Sequence, residues 1–168
     1  MVANFLKIYL SGEIHTQWRN NIKEKSLKLG LPINLLSPVT DHSASDDCGI
    51  EILGGENKKF WHDYKGASIN SIRIKNMIGK SDIVIVKFGE KYRQWNAAFD
   101  AGIAVTLGKS LITLHDESLD HALKEIDAAS SAVCRTEDQV INTLKYVTSD
   151  IWLNKLFRWP TASWIILR

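Results

Sequence analysis

Short apolar runs alternate along the chain with longer amphipathic stretches. Residues 5–10 are apolar apart from Lys7 and stop at Ser11-Gly12, which predicts a short strand. Over 16–29, Trp18, Ile22, Leu27 and Leu29 recur among polar residues. That spacing predicts an amphipathic helix, with Thr16 as its N-cap and Gly30 as its stop. A second strand follows over 33–36, between Pro32 and Pro38. Polar residues then dominate 37–59, where only a short helix around 50–53 is expected. Such a long loop inside a domain is either functional or mobile. Periodicity returns over 68–79, where Ile69, Ile72, Met77 and Ile78 predict a helix. Residues 82–88 form a strand centred on Ile83-Val84-Ile85-Val86, a β-branched run suited to a sheet covered on both faces. Helices over 96–107, 118–129 and 137–148 alternate with strands over 110–114 and 132–134.

This alternation predicts an α/β fold, with a parallel five-stranded sheet covered by helices on both faces. The flavodoxin-like strand order 2-1-3-4-5 fits best. In such sheets ligands bind beyond the carboxyl ends of the strands, where the strand order reverses. Here that point lies between the first and third strands. It nominates two loops, residues 11–15 and 89–96.

Composition narrows the function classes. With 168 residues, 45% of them hydrophobic and 24% charged, the chain is a folded globular one rather than a disordered one. Its net charge of +2 is spread along the sequence, so no basic nucleic-acid face is indicated. No apolar stretch reaches the ~18 residues of a membrane span, and no signal peptide is expected. The two cysteines, Cys48 and Cys134, form no CxxC pair, which fits a reduced cytoplasmic setting.

Both nominated loops carry chemistry. Gly12 permits a sharp turn after the first strand. Glu13 and His15, both able to transfer protons, follow it, and Tyr9 stands just before. Gly89 opens the second loop and Trp95-Asn96 start the next helix. Asp100 lies four residues after Asn96, on the same helix face and among Ala97, Ala98, Phe99 and Ala101. An acidic residue there could simply complement the helix dipole. The case for function is convergence at one crevice. Gly108-Lys109-Ser110 runs from helix to strand and so is no P-loop, and no GxGxxG occurs. His115-Asp116-Glu117 with His121 lacks metal-ligand spacing. No cofactor or metal is expected.

Tyr9-Leu10-Ser11-Gly12 resembles the strand-end motif of nucleoside 2-deoxyribosyltransferases, in which a Tyr precedes a small-residue turn. Ser81-Asp82-Ile83-Val84-Ile85-Val86 is similar to that family's next strand, and the segment from Asn96 to Ala104 to its nucleophile helix. Residues 9–15 with Trp18-Arg19, and Phe88-Gly89-Glu90-Lys91-Tyr92 with Gln94-Trp95-Asn96, look like the YtoQ branch. The resemblance covers residues 5–148. It implies a flavodoxin-like sandwich and a retaining glycosyl chemistry. A helix carboxylate attacks the anomeric carbon, an acid protonates the departing base, and an acceptor takes the sugar. Asp100 then corresponds to the nucleophile, with Tyr9 orienting it. Gly12, His15, Trp18, Arg73, Gly89, Glu90, Trp95 and Asn96 become the substrate-binding set.

The chain departs from the family pattern at Gln94, Asn96, Ala97 and Asp100, where the family has Asp, Gly, Thr and Glu. Asp is one methylene shorter than Glu, and a displacement of ~1 Å matters for attack. The family's acid has no counterpart in 68–73, which leaves Glu13, Asp63 or Glu90 for that role. Arg73 points instead to an anionic group on the ligand. The leading expectation is therefore an N-glycosidic-bond enzyme acting on a nucleoside or nucleotide, by transfer or hydrolysis. The alternatives are a non-catalytic nucleotide-binding protein and an oligomeric domain with no small-molecule function. Residues 1–150 form the expected domain, and 151–168 an apolar extension carrying Trp152, Trp159 and Trp164. So much apolar surface calls for burial against the body or a second subunit. The subunit is favoured, because the domain is complete at 148 and the resemblance implies a homo-oligomer.

Overall fold

The computed structural model describes residues 5–89, 91 and 94–148. Five parallel strands, β1 (Leu6–Gly12), β2 (Ile33–Leu36), β3 (Ile83–Lys87), β4 (Ser110–Leu114) and β5 (Ala132–Cys134), lie in the order β2-β1-β3-β4-β5. The expected class and strand order are both present. The helices are α1 (Trp18–Lys28), α2 (His42–Asp46), α3 (Cys48–Leu53), α4 (Lys59–Lys80), α5 (Trp95–Thr106), α6 (Asp120–Ala128) and α7 (Glu137–Thr148).

Side chains alternate across each strand, and this sorts the core into two halves. Ile8 and Leu10 of β1 face Trp18 and Ile22 of α1 and Val140, Ile141 and Leu144 of α7. Tyr9 points to the opposite face, with Ile78 of α4, Leu123 of α6 and Ala97, Ala101 and Ala104 of α5. The buried stripe of α5 is Ala97, Asp100, Ala101 and Ala104. Three alanines let this helix lie close on the sheet and leave one carboxylate among them.

Two boundaries differ from expectation. The helix expected over 68–79 starts at Lys59, and the polar segment before it holds α2 and α3. The first half of α4 packs through glycine rather than through an aliphatic stripe. A Cβ on Gly49 would sit 2.2 Å from the Gly66 nitrogen, and one on Gly66 would sit 2.7 Å from the Asp46 carbonyl oxygen. Phe60, Trp61 and Tyr64 stay exposed, so no apolar periodicity marks that half. Thr16 is not the N-cap of α1: that helix follows Gln17, and the Thr16 hydroxyl bonds Glu13. The 151–168 extension lies outside the described residues.

Gly12 closes β1 at φ 98°, in register with Lys87 of β3, and a Cβ there would sit 2.0 Å from the Lys87 carbonyl oxygen. Gly12→Ala therefore combines a left-handed backbone with a backbone clash. We expect it to destabilise the chain by about 2 kcal/mol or more in urea unfolding. A loss under about 0.5 kcal/mol would contradict this geometry.

Candidate active site

Tyr9 and Ser11 are two residues apart on β1 and so share the face that meets α5. Asp100 stands on the second turn of α5 and is 6% exposed. The Ser11 hydroxyl donates to its Oδ2 at 2.5 Å. Burial pushes the Asp100 carboxyl above the usual range, and the Ser11 bond opposes that shift. Tyr9 is fully buried, and its hydroxyl has no hydrogen-bond partner among the described residues. Burial and the nearby Asp100 charge both raise the Tyr9 pKa, while Arg19 and Arg73 pull it down. Strand end, α5 and α4 thus bring a carboxylate, a phenol and a guanidinium into one electrostatic neighbourhood. A buried carboxylate next to an unpartnered phenol is an uncommon arrangement for a purely structural core.

The loop after β1 is held from within. Glu13 is buried, and its carboxylate accepts from the His15 backbone N–H, from the Thr16 N–H at 3.2 Å and from the Thr16 hydroxyl at 2.5 Å. Burial alone would raise its pKa. The bonds from Thr16 and His15 and the charge of Lys87 together outweigh burial and hold the carboxyl below its ordinary value. The Glu13 carboxylate, expected as the catalytic acid, is thus engaged by donors of its own loop, and its pKa lies below rather than above the ordinary carboxylate value.

Trp18, expected against substrate, is fully buried in the core, and its ring N–H donates to the Glu13 carbonyl at 2.7 Å. Arg19 lies over the Trp18 ring at 4.7 Å and donates to the Leu10 carbonyl at 3.1 Å, the Gly12 carbonyl at 2.9 Å and the Glu13 carbonyl at 2.5 Å. Burial brings the Arg19 pKa down to about 10, against the pull of Tyr9 and Glu13, so the guanidinium stays cationic at neutral pH.

The two nominated loops meet. A Cβ on Gly89 would lie 2.5 Å from Glu13 Cγ, and the Gly89 N–H donates to the Gln94 side chain at 3.1 Å. His15, Trp95 and Asn96 are exposed at this edge, Trp95 by 71%. Arg73, on α4, is exposed yet lowers the Tyr9 pKa, which sets its charge on the Tyr9 side of the sheet. Asp63 is paired with Lys59 at 2.9 Å on the outer surface of α4. Glu90 lies outside the described residues.

A family model described as nucleoside 2-deoxyribosyltransferase YtoQ matches residues 9–148. The chain belongs to this family. The uncharacterized protein YtoQ of Bacillus subtilis (strain 168) is 44% identical over 140 residues, covering 83% of this chain and 95% of that protein. A conserved protein from Enterococcus faecalis V583 shares the fold at 16% identity and a TM-score of 0.56, over 86% of this chain and 99% of that structure. A 2-deoxyribosyltransferase from Bacillus psychrosaccharolyticus matches at 16% identity and a TM-score of 0.49, over 82% of this chain and 95% of its own.

One polar cluster of this YtoQ-family chain was only partly visible in its sequence. His115, buried at the end of β4, sets Nε2 3.0 Å from Asp127, and Thr113 donates to the same carboxylate at 2.8 Å. Nδ1 lies 2.9 Å from the Asp116 carbonyl oxygen. The guanidinium of Arg135 approaches Nδ1 at 3.0 Å and Asp120 at 2.6 Å. His115, Asp120 and Asp127 offer atoms within 4.8 Å of one another, a spacing that could hold a metal ion. Arg135 already supplies the positive charge there.

Glu13 generates a pH prediction. Its folded pKa is below the unfolded one, so its stabilisation is complete above the ordinary carboxylate pKa and fades as pH falls through the depressed value. Glu13→Gln is expected to cost about 1 to 2 kcal/mol at pH 7. The gap between wild type and variant should then close on acidification below about pH 4. Urea unfolding across pH checks this. A gap that widens in acid would mean that Glu13 is protonated in the fold.

Proposed function

We propose that this chain is an enzyme acting on the N-glycosidic bond of a small nucleoside or nucleotide, with Asp100 as its nucleophile. The observation that carries the reading is the Asp100 carboxylate itself. It is buried in an alanine stripe, gripped by Ser11 at 2.5 Å, and its charge acts on the Tyr9 phenol, which has no hydrogen-bond partner among the described residues. Membership of the YtoQ family supports the same reaction class. An Asp100 oxygen attacks the anomeric carbon as the bond to the base breaks. The bonding electrons leave with the base, which takes a proton, and a second base or water then displaces the carboxylate. Transfer and hydrolysis differ only in that acceptor.

Tyr9, whose hydroxyl is unpartnered among the described residues, gains a partner when the site is occupied and then orients the carboxylate. Arg73 supplies a cation for a phosphate or another anionic group on the ligand. Gly12 and Gly89 shape the two loops, His15, Trp95 and Asn96 are the substrate-facing candidates, and Glu90 stays a candidate on its sequence position alone. With Glu13 committed to its loop, the proton donor to the base comes from elsewhere in this set or from water. A homo-oligomer in the cytoplasm goes with this reading. No helix among the described residues is long and apolar enough to cross a membrane. Non-catalytic nucleotide binding is the second reading, favoured by Arg73 where the family carries its acid.

Two variants test the assignment. Asp100→Asn should lower turnover of nucleosides or nucleotides about a thousandfold or more. Its Tm should stay within about 3 °C of wild type. Retained activity would remove Asp100 from the chemistry. Ser11→Ala deletes the bond that restrains the Asp100 pKa, so the acid limb of the pH–rate profile should move to higher pH. An unmoved limb would show that Ser11 does not set the nucleophile's ionisation.

A further inference from the structure

A groove of ≈ 800 Å³ runs between the last turns of α4 and the outer side of α5, from Ala98 to Leu107. Its walls include Gly79 and Lys80 of α4 and Phe99, Gly102 and Ile103 of α5, with Leu107 just beyond that helix. Phe99 and Leu107 stand exposed there. Gly79 and Gly102 are helical, and a Cβ on either would meet nothing within 4 Å. Helical glycine costs about 1 kcal/mol relative to alanine. Nothing among the described residues comes close enough to require it. A segment pressed against both helices would.

We propose that the groove is the docking site of this chain's own extension, seated through Trp159 and the run Trp164-Ile165-Ile166-Leu167. The topology brings the two together. Helices α4 and α5 lead into β3 and β4, so they end at the amino edge of the parallel sheet. Helix α7 leaves the carboxyl end of β5 and runs back, so Thr148 also stands at the amino edge, on the opposite face. The twenty residues 149–168 follow it. Fully extended they reach ~66 Å. Rounding the edge across two helical layers and the sheet takes roughly ten of them. That leaves Trp159 and Trp164 to Leu167 at the groove, with Pro160 breaking any helix between. The family match ends at residue 148, so the extension is an addition to the shared domain. A second apolar hollow, beside Leu27 and Leu31 on the α1 face, is only ≈ 220 Å³.

Disulfide trapping in the full chain tests the proposal, with Cys48→Ser in every variant. Ser163→Cys is combined either with Gly102→Cys, in the groove, or with Leu29→Cys, exposed at the end of α1 and nearer to α7. Oxidation by a glutathione couple is followed by intact mass and non-reducing gels. The expected result is an intramolecular 102–163 bridge forming at least tenfold faster than the 29–163 bridge. Gly79→Cys in place of Gly102→Cys should behave like the first pair, which guards against a local effect of one substitution. Equal rates would show an undocked extension and overturn the proposal. A faster 29–163 bridge, or covalent dimers as the main product at micromolar protein, would overturn it in favour of the α1 face or a second copy.

Discussion

The Arg19 guanidinium is the contact on which the site depends. At the end of β1 the chain leaves the sheet through a left-handed turn so close to Lys87 that only glycine fits. The carbonyls of Leu10, Gly12 and Glu13 need donors there, since unpaired buried carbonyls are costly. Arg19 serves all three, and the Trp18 ring N–H adds a second bond to the last. Trp18 is buried in the α1–α7 core, so the turn is tied to that core. Ser11 lies within this clamped stretch, which fixes the position from which its hydroxyl reaches Asp100.

Asp100 shows why such rigidity matters. Its side chain is short, and it rises from a helix held close to the sheet by Ala97, Ala101 and Ala104. Burial favours its neutral form; the Ser11 bond favours the charged form. The nucleophile proposed for this site needs the charged one. A hydroxyl donated from a neighbouring strand orients the carboxylate and keeps it ionisable at once. The Tyr9 phenol, on the same side of the same strand, keeps its hydroxyl buried without a partner among the described residues.

Much of this architecture was legible in the chain. Apolar β-branched runs such as Ile83-Val84-Ile85-Val86 and amphipathic stretches with glycine stops identify four crossover helices and all five strands, because burial on one or both faces leaves a period. The first half of α4 was not legible, since it packs by backbone approach at Gly49 and Gly66 and exposes its aromatics. The meeting of the two loops, and the place of Asp100 against the end of β1, were legible from topology. The roles of Glu13 and Trp18 were not, because a carboxylate that caps its own loop and an indole that braces a carbonyl carry the same letters as a catalytic acid and a stacking platform. Ser11 could have been found, since period two puts it on the same face as Tyr9.

The central claim is that Asp100 forms a bond to sugar. Its most direct test is peptide mass mapping of the wild-type chain, quenched in acid after brief incubation with pooled nucleosides and nucleotides. A pentosyl or deoxypentosyl mass increment is expected on the peptide carrying Asp100, fragmenting at that residue. An adduct on another carboxylate, or product release with no Asp100 adduct even under single-turnover quenching, would contradict it.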